Sequence, residues 1–243
     1  MPKKTQCIFI GTRSLLSLIP PNTHLMVDGN IITPSTSVKN LGIYFDKNLL
    51  FDTHITELVK KTHGIIMFIN RIKDNFNKLT RITVIQSLVM SVINYGISIW
   101  GATNITQVKR VQKIQNFAAK VALGGARKSD HVTPFLKELK WLKINHQYEY
   151  EIITLTYRKI NNDLPDWLLP LSSVSDNRSH QISTRQAEHL HVPRCNTSLA
   201  TRSFQVTAPS LWNNLPPVVQ HAPSLFTFKS RLKDFLLNKQ FYQ

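Results

Sequence analysis

From Phe51 onward the apolar residues recur at helical spacing. Ile55, Leu58, Val59, Thr62, Ile65, Ile66, Ile69 and Ile72 fall on one side at about 3.6 residues per turn, and Lys60, His63 and Arg71 face the other way. The pattern predicts a first helix with Asp52 or Thr53 as its N-cap. A second, very apolar helix is predicted over residues 79–100. A third, over 104–123, stops at Gly124 and Gly125, a common helix exit. Three helices in series with short connections predict an antiparallel bundle. Ahead of Phe51 the period is two. Residues 6–10 read as a strand, and residues 24–27 and 30–32 flank Asp28-Gly29, whose pairing signals a type I′ hairpin. Residues 37–46 read as one further strand in which Leu41, Ile43 and Phe45 alternate. Beyond residue 130 the pattern weakens. Thr133 is the expected cap of a short helix through Trp141, and residues 148–160 form another. Residues 172–206 read as loop with one strand at 190–192. Residues 224–237 make a last amphipathic helix with Leu225, Phe228, Leu232, Phe235 and Leu236 on one face. The expected fold is mainly α with a small N-terminal antiparallel β portion. It divides into a β segment (1–50), a helical bundle (51–125) and a mixed, loop-rich C-terminal domain (126–243).

Composition adds a partner class. Hydrophobic residues at 42% and charged residues at 18% describe a globular chain, not a disordered tail. The 30 Lys and Arg against 14 Asp and Glu leave a net charge of +16. Such an excess attracts polyanions, nucleic acid first and an acidic membrane second. Residues 82–108 carry no charge and are long enough to cross a bilayer, but Thr83, Gln86, Ser87 and Asn94 interrupt them. A buried core helix fits better than a membrane span. Two cysteines, Cys7 and Cys195, build no disulfide framework, and the N-terminus lacks the apolar stretch of a signal peptide. The expected location is intracellular, in nucleus or cytoplasm.

Candidate chemistry is sparse. No nucleophile elbow or phosphate-cradling glycine loop is present, and no small-molecule substrate is indicated. His189, His191 and Cys195 are ligand types, yet a structural zinc wants a fourth ligand that is not nearby. No two of the 14 acidic residues are adjacent, so a two-metal centre is not expected from this chain. The reading therefore assigns no catalytic residue and no metal ligand. Basic residues are more telling. Residues 51–130 hold twelve basic and four acidic side chains, half of the net charge. On the third helix Lys109, Lys113, Asn116 and Lys120 fall within roughly 60° of one another. Val108, Val111, Ile114, Phe117, Ala118, Val121 and Ala122 take the remaining arc. Such a stripe suits a helix lying along a phosphate backbone. Lys60, Lys61, Arg71, Lys73, Arg110, Arg127 and Lys128 extend the basic set. No aromatic runs interleave with these bases, so the expected contact is with backbone and independent of sequence. The competing reading is a non-enzymatic interaction scaffold in which the charge is incidental.

The order of motifs resembles the C-terminal part of the reverse transcriptase of jockey-like, non-LTR (LINE-type) retrotransposons. Lys3-Lys4-Thr5 with Gln6-Cys7-Ile8-Phe9 resembles the stretch after the catalytic hairpin of the palm. Residues Asn40 to Asp46 (NLGIYFD), then Phe51 and His54-Ile55, are similar to the passage from palm to thumb. Asn94-Tyr95-Gly96 with Ile99-Trp100-Gly101 resembles a thumb helix, and Lys113 to Asn116 with Ala118-Ala119 the helix after it. Leu139 to Leu142, Ser203-Phe204, Ala208 to Asn213, Leu215-Pro216 and Phe228 to Ser230 resemble the end of such polyproteins. The resemblance implies a palm-edge remnant, a thumb-like bundle and a C-terminal domain. It also implies an RNA or DNA template–primer duplex as partner, with Leu41, Gly42 and Ile43 near the primer terminus. The family's Tyr-x-Asp-Asp pair would precede Met1. The expectation is accordingly a truncated fragment, inactive as an RNA-directed DNA polymerase by itself and carrying no cofactor. Magnesium is implied for the full-length family enzyme alone.

Overall fold

The computed structural model describes residues 5–124, 130–165, 171–174 and 189–242, and falls into two compact units, Met1–Asp130 and His131–Gln243. The architecture is mainly helical, with two small antiparallel sheets near the N-terminus.

In the first unit residues 6–10 form no strand, contrary to the sequence pattern. Their β-prone side chains meet no neighbouring strand. The segment is tied by Ser35 N–H to Cys7 O at 2.8 Å, and beyond its end by Gly11 N–H to Lys47 O at 3.0 Å. A short helix α1 (Arg13–Leu16), capped by the Thr12 hydroxyl, follows it. Strands β1 (Leu25–Val27) and β2 (Asn30–Ile32) pair through the expected turn, with Asp28 at φ 50° and Gly29 at φ 75°. The expected single strand over 37–46 is instead a second hairpin, β3 (Ser37–Asn40) and β4 (Ile43–Asp46), in register Asn40 to Ile43. Leu41 (φ 45°) and Gly42 (φ 85°) make its two-residue turn. Leucine is not a turn residue, so the alternation of apolar side chains disguised the reversal.

Helix α2 (Asp52–Ile72) begins after Phe51, which sits at φ 57° with no side-chain cap. The expected caps are not used, because the Asp52 carboxylate accepts from the Gln107 side-chain amide instead. Phe51 is buried and meets Phe45 edge to face at 5.8 Å, so core packing holds its unusual backbone. The buried line of α2 runs Ile55, Leu58, Thr62, Ile66 and Ile69. Thr62 is tolerated there because its hydroxyl donates to Leu58 O at 2.6 Å.

The expected second helix is broken. After a 3-10 turn (Lys73–Asn75) comes α3 (Lys78–Ile85), capped by Asn77, then a π-helical turn (Gln86–Met90), α4 (Ser91–Asn94) and α5 (Ile97–Trp100). The break falls at Tyr95 and Gly96, the latter at φ 62°. A Cβ at Gly96 would stand 2.4 Å from Ile43 Cδ1, so the chain bends where β4 presses against it. Ile85, Val89, Ile93, Ile97 and Trp100 line the buried side. Helix α6 (Ile105–Ala122) starts as expected, with the Asn104 side chain accepting from Gln107 N–H at 3.0 Å, and ends at Gly124 with φ 89°. It runs parallel to α2: Asp52 meets Gln107, Thr56 meets Arg110, and His63 meets Phe117.

The second unit holds α7 (Thr133–Leu139), α8 (Ile144–Ile160), α9 (Ser198–Thr201), α10 (Phe204–Asn213), α11 (Pro217–Gln220) and α12 (Leu225–Tyr242). Thr133 is the first residue of α7, not its cap, and the helix stops at Lys140, whose φ is 51°. Around residue 190 the expected strand is a single bridge, Ser173 to Leu190. The α12 face expected from sequence closes the core: Phe228, Leu232 and Leu236 are buried, with Leu225 and Phe235 beside them. Phe228 stacks between Tyr157 (4.0 Å) and Trp212 (6.0 Å), and the Tyr157 hydroxyl donates to Ala222 O at 2.9 Å.

Candidate nucleic-acid interface

Helix α6 buries Gln107, Val111, Ile114, Gln115, Ala118, Ala119, Val121 and Ala122. That places Lys109 and Lys113 on its exposed line, opposite the core, and Lys120 half-buried farther along the same line. Asn116 lies between them, its carbonyl oxygen accepting from Gln112 at 2.7 Å. Lys120 lies eleven helical steps beyond Lys109, a span of ~16 Å at about 1.5 Å per residue. Arg110 stands at the edge facing α2, donating to Gln107 Oε1 at 2.8 Å and Thr56 Oγ1 at 3.2 Å. Its guanidinium thus stitches the two helices as well as adding charge.

The other basic residues separate. Lys60 and Arg71 are exposed and lie within roughly 80° of Thr56 and His63, the α2 residues that reach α6. Lys61, a further ~100° around α2, instead lines a cavity against the β3–β4 hairpin. Lys73 is half-buried in the 3-10 turn. Arg127 and Lys128 lie outside the described residues.

Sequence reasoning passed over Arg81. Its guanidinium donates to Phe76 O at 3.0 Å, Lys73 O at 3.3 Å and Ala122 O at 3.4 Å. These carbonyls sit at the ends of α2's terminal turn and of α6, where a cation and a donor are both favourable. A Cβ on Gly124 would meet Arg81 Nη2 at 2.3 Å, so the glycine leaves room for the cation as well as ending α6. Nothing in the one-dimensional pattern singles out this arginine from the solvated ones.

The hairpin turn is held from behind. Tyr95 donates its hydroxyl to Leu41 O at 2.7 Å, and Trp100 Nε1–H donates to Tyr95 O at 3.0 Å. Ile43 is buried, whereas Leu41 at the tip is 82% exposed. A large apolar side chain in a left-handed, solvent-facing position is unfavourable on both counts, and such strain gathers at sites of contact. Beside the turn lies a cavity of about 480 Å³ lined by Lys39, Gly42, Tyr44, His54, Glu57, Leu58, Lys61, Ser91, Val92 and Tyr95. Burial holds the His54 imidazole below the ordinary histidine range, and its Nε2 is buried without a partner.

Asp46 and Asp52 are each used locally. Asp46 Oδ1 accepts from Asn48 N–H (3.1 Å) and Leu50 N–H (2.9 Å), and Asp52 is engaged by Gln107. Among the described residues no group of three or more His, Cys, Asp or Glu could hold a metal ion. Magnesium finds no such group among the described residues. His189 and His191 are used through their backbones: Val174 N–H donates to His189 O, and His191 N–H to Ser172 O, each at 2.8 Å. Among the described residues, no helix is long and apolar enough to cross a membrane.

One curated protein gives this geometry a context. Over 91 residues the chain is 26% identical to a probable RNA-directed DNA polymerase from transposon X-element of Drosophila melanogaster, covering 36% of this chain and 10% of that protein. The similarity supports a distant relationship to non-LTR retrotransposon reverse transcriptases. No protein-family model matches the chain. No solved structure matches it either.

Proposed function

We propose that this chain is a reverse-transcriptase-derived fragment that grips the backbone of a template–primer duplex. The observation that carries the reading is the line of Lys109, Lys113 and Lys120 on α6, opposite a buried face. Its ~16 Å length matches about five phosphates of one strand at ~3.4 Å of axial rise each. Lys60 and Arg110 flank it on the α2 side and widen the positive surface. In this reading the β3–β4 turn, with Leu41, Gly42 and Ile43, meets the primer terminus, and the exposed, strained Leu41 is its apolar contact. The distant relationship to a transposon polymerase supports nucleic acid over another polyanion. The role proposed is binding; Asp46 and Asp52, two carboxylates of the same unit, are each engaged locally.

Titration against B-DNA duplexes of unrelated sequence tests this. With about five phosphates neutralised, log K falls against log salt with a slope near −4.5, and sequences differ little. Binding confined to one sequence, or a slope near zero, overturns the reading.

A further inference from the structure

We propose that the cavity between the β3–β4 hairpin, α2 and α4 receives one unpaired nucleotide, its phosphate at Lys39 and Lys61 and its base inside. The proposal deepens the duplex-binding reading by adding a single-stranded subsite to it. At about 480 Å³ the cavity lies in the range of small-molecule sites and exceeds what a water cluster or bare anion needs. Its walls are mixed as a nucleotide requires. Leu58 and Val92 supply apolar surface, and the Tyr95 ring is fixed in place because its hydroxyl is spent on Leu41 O. The Lys39 ammonium stands 4.9 Å from the centre of the Tyr44 ring, which holds that charge at the rim.

His54 is the second, independent observation. It is 7% exposed and lines the cavity, and its Nε2 has no hydrogen-bond partner. A buried polar atom left unpaired is costly; Nε2 is closed to solvent, so a base edge supplies the missing donor or acceptor after a small displacement of the cavity wall. Glu57, also on the lining, weighs against a free inorganic anion and favours a ligand with an amino group beside its phosphate. Adenine, cytosine and guanine carry such an exocyclic amine, whereas thymine and uracil do not. The preferred occupant is therefore an amino-bearing nucleotide, from the frayed or overhanging end of a strand or free in solution.

The test uses the full chain, a blunt DNA duplex, the same duplex with a single 3′ adenosine overhang, and adenosine monophosphate. The overhang is expected to tighten binding about tenfold. Ser91→Phe, at an exposed position on the lining, fills the cavity. It is expected to erase the overhang's advantage while leaving blunt-duplex affinity unchanged. Circular dichroism reports whether that variant folds; if it does not, Lys61→Gln is read through the ratio of the two duplex affinities, which is expected to fall to about one. Replacing Lys109, Lys113 and Lys120 by Gln is expected to weaken both duplexes and keep their ratio. Equal affinity of the unmodified chain for the two duplexes, or an advantage that survives Ser91→Phe, overturns the proposal. If neither duplex binds, the duplex-grip reading fails and the monophosphate decides the pocket. A His54 resonance shift on its addition, lost in Ser91→Phe, sustains the site, and no shift overturns it.

Discussion

Gly96→Ala perturbs the joint where the hairpin meets the broken helix, and its cost can be worked from two features. Gly96 sits at φ 62°, where a residue with a Cβ is disfavoured by about 1–2 kcal/mol. The new methyl would also stand 2.4 Å from Ile43 Cδ1. That atom ends a side chain and can swing aside, but Ile43 is 3% exposed and can move only into packed surroundings. Overpacking at its mild end adds about 1 kcal/mol, for a total of about 2–3 kcal/mol. Ile43→Val removes the offending methyl. Alone it should cost about 0.5–1.5 kcal/mol; in the Gly96→Ala background it should cost close to nothing, a coupling of about 1 kcal/mol. Both are read by denaturant titration followed through the indole N–H resonance of Trp100, whose bond to Tyr95 O bridges the joint. A loss below about 0.5 kcal/mol for Gly96→Ala, or strict additivity of the pair, would refute the view that the hairpin is seated on this glycine.

Three further outcomes are expected. Leu41→Asn relieves an exposed apolar side chain from a left-handed backbone, so it should stabilise the first unit by up to about 1 kcal/mol yet weaken duplex binding; a gain in both would deny Leu41 a contact role. In the second unit burial works against ionisation of Glu149, but its bonds to His146 (3.2 Å) and Lys239 (3.1 Å) outweigh that and hold its carboxyl below the ordinary range. Its contribution is present above the ordinary carboxylate pKa and is lost as pH falls through the depressed one. Glu151 is the opposite case: burial raises it, against Lys229 and Gln147, so its contribution is present at low pH and lost as pH rises through the raised value. At pH 7 Glu149→Gln should cost about 1 kcal/mol and Glu151→Gln should stabilise; thermal melts showing the same sign for both would contradict this. Amides of residues 6–10 and of the exposed β1–β2 hairpin should exchange faster than those of α2, and equal protection would show packing that the fold does not provide.

Several local signals formed as expected, although the strand over residues 6–10 and the Asp52 or Thr53 cap did not. Asp28-Gly29 turned as its φ requirements demand, Asn104 and Gly124 bounded α6, and the 3.6-residue period placed both the lysine line and the α12 core face. The failures share a cause in tertiary contact. Leu41 turns because Tyr95 and Ile43 hold the hairpin from behind, not because leucine favours the conformation. The apolar run over 79–100 hid a break that only the approach of β4 explains. Helix α10 was illegible because Pro209 lies inside it, which sequence alone reads as a breaker. The cavity could not be foreseen at all: Lys39, His54, Lys61 and Tyr95 span 57 residues and meet only once the hairpin folds onto α2 and α4. Lys60 and Lys61, adjacent in sequence, were assigned one surface and occupy two, as a ~100° step around a helix requires.

The central claim is that the α6 lysine line grips phosphate. Lys109, Lys113 and Lys120 replaced together by Gln keep a good helix former at each position, so the fold should persist. Duplex affinity of that variant should fall on every sequence tested, and its salt slope should flatten by up to about three units relative to the unmodified chain. The matching replacement of Lys137, Lys140 and Lys143, within residues 131–170, whose five basic and five acidic side chains balance, should change the slope far less. Equal losses from the two triple variants, or a slope that the first leaves unchanged, would contradict the account and favour an interaction scaffold with incidental charge.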